Sequence, residues 1–172
     1  MTGQTISAFG MHVSGDFQEA AGYPLNWESN STPLTQEGTT DIYSIVVDIP
    51  AFTKYEYKFV NGDQFYDAEF VPEESRVGYN FNDNRWIYVD SLTNDTTFVG
   101  AILFGGNAPA GLNLARFKVN MAGINISADG VRMAGTFQSW NPMKLRLYSF
   151  EPDIYEVICY MASGNYEYLF FN

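Results

Sequence analysis

The sequence predicts an all-β protein made of two antiparallel β-sandwiches in tandem, the second incomplete within the 172 residues, on three observations. A repeat runs through the chain, apolar residues alternate with period two in the segments that the repeat shares, and aromatic residues reach 17%, dominated by 12 Tyr and 14 Phe. Internal self-similarity marks a repeated structural unit, and period-two alternation rich in aromatic and β-branched residues marks half-buried strands.

The repeat is direct. Met1-Thr-Gly-Gln-Thr-Ile-Ser-Ala-Phe-Gly10 aligns with Met121-Ala-Gly-Ile-Asn-Ile-Ser-Ala-Asp-Gly130, and His12-Val-Ser-Gly-Asp-Phe-Gln18 with Arg132-Met-Ala-Gly-Thr-Phe-Gln138. After a loop of different length, Asp41-Ile-Tyr-Ser-Ile-Val-Val-Asp-Ile49 aligns with Asp153-Ile-Tyr-Glu-Val-Ile-Cys-Tyr-Met161. Finally Tyr55-Glu-Tyr-Lys-Phe-Val-Asn61 aligns with Tyr166-Glu-Tyr-Leu-Phe-Phe-Asn172.

Each strand follows from its pattern. Tyr43, Ile45, Val47 and Ile49 are expected on one face of a strand, and Tyr55, Tyr57 and Phe59 on one face of the next, with a turn at residues 50–54 short enough for a hairpin. Copy two repeats this with Tyr155, Val157, Cys159 and Met161, then Tyr166, Tyr168 and Phe170. Arg85-Trp-Ile-Tyr-Val89 and residues 97–104 supply the late strands of copy one, and Pro33, Pro50, Pro72, Pro142 and Pro152 fall at segment edges. Residues 115–121 (Ala-Arg-Phe-Lys-Val-Asn-Met) read as the opening strand of copy two. Copy one starts at the equivalent of that strand's final Met, and copy two stops at the equivalent of Asn61, so both copies are expected to be cut in mid-unit, leaving Met1 no necessary translation start. The expected organisation is repeat 1 over 1–106 without its first strand, a Gly/Pro/Asn-rich linker over 107–114, and repeat 2 over 115–172 without its later strands.

Composition narrows the function. A hydrophobic fraction of 46% against 17% charged residues describes a chain with a core rather than disorder. Nine Lys and Arg against 20 Asp and Glu give a net charge of −11, which argues against nucleic acid or an anionic membrane as partner. No apolar run approaches the roughly 20 residues of a membrane span, so membrane insertion is not expected. The single cysteine, Cys159, reads as a small core hydrophobe. No metal-ligand spacing, nucleophile elbow or phosphate loop occurs, so neither catalytic residues nor a metal or cofactor are expected. His12 is expected in a strand and aligns with Arg132, so the position tolerates an exposed polar residue in the sister copy, and the cluster Asp67, Glu69, Glu73 and Glu74 reads as a solvated acidic stretch.

With the strands placed, the pattern Val13-Ser-Gly-Asp-Phe-Gln18, Asn26-Trp27, Tyr55-Glu-Tyr-Lys-Phe-Val-Asn-Gly62, Phe65, Val71-Pro72 and Asn84-Arg85 resembles the starch- and glycogen-binding β-sandwiches. These are immunoglobulin-like, early-set folds represented by the glycogen-binding domain of the AMP-activated kinase β subunit and by tandem repeats in secreted or cell-surface Bacteroidetes proteins. The resemblance implies a carbohydrate site in which an aromatic platform stacks on the apolar face of a sugar while amide and ammonium groups bond its hydroxyls. Carried over, it is composed of Trp27, Lys58, Phe65 and Asn84, with Trp140 in copy two. The sequence departs from the pattern where Phe65 replaces a tryptophan, where residues 19–25 displace Trp27, and where Leu169 replaces the lysine in copy two. The cysteines that bacterial members place after Val-Pro and near the last strand are also missing. In the plainer reading, Trp27 and Trp140 cover the end of a sandwich.

Ser91 and Thr96 lie in or beside Asp-Ser/Thr patterns of the kind used for bacterial O-glycans, and Asn30, Asn94 and Asn125 head formal N-glycan tripeptides. Both fit an extracellular or cell-surface address. The expected function is that of a non-catalytic structural or adhesive segment that self-associates with neighbouring subunits or further repeats, plausibly head to tail into a fibre, because interrupted sheets leave unpaired edges. The alternative is an α-glucan-binding module whose partners are glycans.

Overall fold

The chain is all β, with ten antiparallel strands and three 3-10 turns among the described residues of a computed structural model, which are 1, 3–76, 83–90 and 97–172. It divides into two compact units, Met1–Ala110 and Gly111–Asn172.

The first unit contains β1 (Met11–Gly15), β2 (Thr35–Gln36), β3 (Tyr43–Ser44), β4 (Thr53–Asn61) and β5 (Arg85–Val89). Its sheets run β1-β4-β5 and β2-β3. Tyr55 and Tyr57 point inward from β4 and meet Val13 and Phe17, and Leu34, Ile45, Val47 and Ile49 pack on this cluster from the other sheet's segments. The second unit contains β6 (Asn113–Asn120), β7 (Arg132–Gly135), β8 (Tyr148–Glu151), β9 (Ile154–Met161) and β10 (Tyr168–Phe171), in sheets β6-β9-β8 and β10-β7. Its core is Val131, Met133, Leu147 and Val157, covered by Phe117, Val119, Met121 and Phe170. Phe117 is its aromatic centre, stacked on Phe137 at 6.1 Å and edge-on to Tyr168 at 4.9 Å.

The two units repeat each other bond by bond. Gly15 pairs with Tyr57 and Val13 with Phe59 across β1 and β4, as Gly135 pairs with Tyr168 and Met133 with Phe170 across β7 and β10. Leu34 N–H donates to Met11 O and Leu147 N–H to Val131 O, each at 2.8 Å. The Asn61 amide accepts from Ser7 N–H at 2.9 Å and donates to Thr5 O at 2.9 Å; the Asn172 amide does the same with Ser127 N–H and Asn125 O, at 2.9 and 2.8 Å. One asparagine thus staples the irregular entry loop of each unit to the end of its inner strand.

Several expectations need correction. The turns at residues 50–54 and 162–165 do not close hairpins: β9 pairs with β6 and β8 while β10 pairs with β7, so the chain crosses from one sheet to the other. In unit 1 only Tyr43–Ser44 of the strand expected at residues 43–49 is assigned, because a strand needs a ladder and β3 has only the two residues of β2 beside it. Residues 97–104 form no strand; Ile102 makes a single bridge to Pro109. β6 starts at Asn113, inside the stretch expected as linker, because Asn113 and Leu114 pair with Met161 and Tyr160. His12 lies in β1 and is buried, its Nδ1–H donating to Gly62 O at 2.7 Å.

Cys159 packs against the second unit's core, and burial pushes its thiol up to about 11. Since the thiolate is the reactive form, the native protein at pH 8 should react with a disulfide reagent far more slowly than the urea-unfolded chain. Equal rates in the two states would contradict this packing.

Candidate functional site

The most constructed surface feature is a tryptophan turn that both units build alike. As β1 ends, Gly15 O accepts from Trp27 N–H at 3.1 Å, and as β7 ends, Gly135 O accepts from Trp140 N–H at 2.9 Å. Trp27 has φ 62° and Trp140 φ 56°, a left-handed conformation that bulky side chains rarely enter and that costs about 1–3 kcal/mol. A glutamine holds it. The fully buried Gln18 accepts from Glu28 N–H at 2.9 Å and donates to Glu28 O at 2.9 Å and Thr32 Oγ1 at 2.8 Å, while the Thr32 hydroxyl donates to Val13 O. Gln138 exchanges the matching pair of bonds with Asn141, at 2.6 and 2.8 Å. The clamp leaves Trp27 39% and Trp140 42% exposed, so each indole is half covered and half presented to solvent.

Lys58 and Asn84 come together on the side of β4 opposite Tyr55 and Tyr57. On β4 the side chains opposite Tyr55 and Tyr57 are Lys54, Glu56 and Lys58; the ladder sets Trp86 beside Glu56 and Tyr88 beside Lys54. Asn84 Nδ2 donates to Glu56 Oε2 at 3.0 Å, and Lys54 Nζ to Glu56 Oε1 at 2.6 Å. Lys58 Nζ donates to Asp83 Oδ2 at 2.8 Å, and Asp83 Oδ1 also accepts from Val71 N–H at 2.9 Å and lies 3.1 Å from Arg76 Nε. The ammonium and amide assigned to sugar hydroxyls are therefore already engaged within the protein. Trp86 is the aromatic that sequence reasoning missed; its signal was the alternation that places it on the Lys58 side of the sheet. Phe65 and the neighbouring Tyr66 stand on a 3-10 turn beyond the end of β4, both more than 80% exposed. The Trp27 turn attaches at Gly15, which pairs with Tyr57, four residues and roughly 13 Å along β4 from Asn61, where the Phe65 turn begins.

Asp16 sits against this surface, its Oδ1 accepting from Glu56 N–H at 2.8 Å. Burial raises its pKa above the ordinary carboxyl value; the Glu56 N–H bond opposes that, and the negative charge of Glu56 adds to it. A carboxyl with a raised folded-state pKa binds its proton more tightly when folded, so its contribution to stability is lost as pH climbs from the unfolded value through the folded one. Asp16→Asn keeps the acceptor oxygen and removes the charge. Its urea midpoint at pH 7 is expected to equal or exceed that of the parent, with a flatter dependence between pH 3 and 6; a lower midpoint at pH 7 would contradict this.

The acidic stretch is misread by its sequence. Glu69 is buried with Arg85 in a bidentate pair, Nε to Oε1 at 2.8 Å and Nη2 to Oε2 at 2.7 Å, and also accepts from Phe59 N–H at 3.0 Å and Gly105 N–H at 2.8 Å. It ties β4, β5 and the loop at residues 105–106 together. Asp67 caps the turn of Phe65 by accepting from Gln64 N–H at 3.1 Å. Among the described residues no group of three or more His, Cys, Asp or Glu has the arrangement of a metal site, and no helix is long and apolar enough to cross a membrane. Asn30 and Asn125 are exposed, whereas Ser91, Asn94 and Thr96 lie outside the described residues.

No protein-family model matches the chain, and neither a curated protein nor a solved structure matches it.

Proposed function

We propose that the chain is a non-catalytic structural or adhesive segment of an extracellular or cell-surface bacterial protein, built of immunoglobulin-like β-sandwich repeats similar to the starch- and glycogen-binding type and associating head to tail with further copies. The observation that carries this reading is that each unit has a sheet border with no strand beside it among the described residues. In unit 1 β4 lies between β1 and β5, whereas the equivalent β10 in unit 2 is paired on one side only, with Tyr168, Leu169 and Phe171 exposed along it. Residues 43–49 form the other border. Exposed apolar strand edges recruit further strands unless charge, proline or covering segments block them.

Negative-stain microscopy of the concentrated chain tests the reading. Filaments or chains of particles are expected, and Leu169→Lys with Phe171→Lys should disperse them into single particles that keep their circular dichroism. Discrete monomers of the parent chain at every concentration would overturn it.

A second reading, α-glucan binding, is favoured by the tryptophan turn, since a half-exposed indole held in a strained conformation in both units suits sugar stacking. Isothermal titration with maltoheptaose decides it: heat lost in Trp27→Ala would support the reading, and no heat from the intact chain would remove it.

A further inference from the structure

We infer that Asn61 is a deamidation site gated by the fold: its side-chain amide is held out of reaction while the staple to the entry loop is closed, and is converted to a carboxyl when that loop opens. The inference concerns the integrity of unit 1 and does not depend on how the chain associates.

Asn61-Gly62 is the only Asn-Gly dipeptide in the chain. The chemistry favours that pairing, because a residue with no side chain leaves the backbone nitrogen after the asparagine unhindered. The nitrogen of Gly62, losing its proton to water, attacks Cγ of Asn61. A new N–Cγ bond closes a five-membered succinimide, the Cγ–Nδ2 bond breaks, and Nδ2 leaves as ammonia. Water then opens the ring. Breaking the N–Cγ bond gives aspartate, and breaking the bond from nitrogen to the main-chain carbonyl carbon gives isoaspartate, whose extra methylene enters the backbone.

In the folded unit both reacting groups are pinned. Asn61 Oδ1 accepts from Ser7 N–H and Nδ2 donates to Thr5 O, each at 2.9 Å, and Asn61 is the last residue of β4, paired with Met11. Cγ cannot swing over the Gly62 nitrogen without breaking the staple, and the backbone cannot turn without breaking the final rung of the ladder. Gly62 is itself buried, at φ 152°, and its carbonyl accepts from His12 Nδ1–H at 2.7 Å. A Cβ on it would collide with the Asp67 carboxylate, which is fixed in turn by Gln64 N–H at 3.1 Å. The peptide that must rotate is therefore held on both sides. Asn172 makes the same two bonds to Ser127 and Asn125, so the staple belongs to the unit's construction rather than to one loop.

The gate is the loop, not the core. Gln4, Thr5, Ala8 and Phe9 are exposed and residues 4–9 join no strand, so they open at a smaller free-energy cost than the ladders of β4. The product cannot close the gate again. A carboxylate at position 61 still accepts from Ser7 N–H, but it turns an oxygen toward Thr5 O where the amide offered a donor, and it adds a negative charge beside Asp63 and Asp67. One opening long enough for ring closure thus loosens the entry loop permanently.

The test holds the intact 172-residue chain at pH 8 and 37 °C, in native buffer and in urea above its unfolding midpoint, and follows each asparagine by peptide mapping and mass spectrometry. In urea Asn61 should be the first to convert, to a mixture of aspartate and isoaspartate, and in native buffer its rate should be lower by about tenfold or more. Ser7→Pro removes the N–H bonded to Oδ1 and should raise the native rate toward the unfolded one. Asn61→Asp, which is the product, should unfold at a lower urea concentration than the parent. Equal rates in the two buffers, or another asparagine converting first in urea, would overturn the gated site, and an Asn61→Asp chain with the parent's midpoint would overturn its one-way consequence. Should Ser7→Pro fail to fold, the native-to-urea ratio of the parent chain decides alone.

Discussion

Arg85→Met is expected to lower the stability of the Met1–Ala110 unit by about 3–5 kcal/mol, because it leaves the Glu69 carboxylate buried without its cation. The pair is fully desolvated, its Arg85 Nη2 also donates to Gly106 O at 2.8 Å, and the guanidinium lies 5.6 Å from the centre of the Phe59 ring. Replacing both members, Glu69→Leu with Arg85→Met, should not restore stability, since Phe59 and Gly105 N–H would then lose their acceptor, at about 1–3 kcal/mol for each buried donor. The second unit provides the contrast. Glu156 is equally buried, but it faces both Arg116 at 2.7 Å and Lys118 at 3.5 Å, so Arg116→Met should cost less than Arg85→Met. Urea unfolding followed by circular dichroism measures all three variants, and an Arg85→Met protein as stable as its parent would contradict the description of this pair.

Gly15→Ala and Gly135→Ala are expected to be strongly and similarly destabilising, each at or above the upper end of the ~1–3 kcal/mol typical of overpacking. The reason is steric. A Cβ on Gly15 would collide with Glu56 O on the paired strand and come within 2.7 Å of Cδ1 of Phe17; on Gly135 it would meet Glu167 O and Cε1 of Phe137, both at 2.5 Å. Each carbonyl accepts a backbone N–H, Glu56 O from Asp16 at 3.1 Å and Glu167 O from Thr136 at 3.0 Å, and cannot retreat without breaking that bond, and each glycine also anchors a tryptophan turn through its own carbonyl. A neutral result in one unit and a large one in the other would deny that the two turns are the same construction.

Much of this architecture could be read in the sequence because the repeat carries its own check. The Val-Ser-Gly-Asp-Phe-Gln and Met-Ala-Gly-Thr-Phe-Gln segments predict matching strands and turns, and the ladders of Gly15 with Tyr57 and Gly135 with Tyr168 match rung for rung. Period two found the inward faces of β4 and β9 but could not tell a hairpin from a crossing between sheets, since both need the same short turn. Alternation also persists at residues 43–49, where burial of one face survives although the ladder does not. Glu69 was misjudged for a different reason: its partner is 16 residues away, and copy two has no counterpart of that region against which to compare it. Of the proposed carbohydrate residues, Lys58 and Asn84 share a face, but Asp83 and Glu56 occupy their polar groups, which residue type and spacing could not reveal.

The central claim, that among the described residues β9 is laddered on both sides while the equivalent residues 43–49 are laddered only at Tyr43–Ser44 beside β2, is most directly tested by native-state amide exchange on the dilute monomer, comparing equivalent positions. Tyr155, Val157 and Cys159 should be protected by their bonds to β6, while Tyr43, Ile45 and Val47 should exchange close to the rate of an open chain. Equal protection at the two sets would contradict the account, because it would mean that the edge of the first unit is already covered within the monomer.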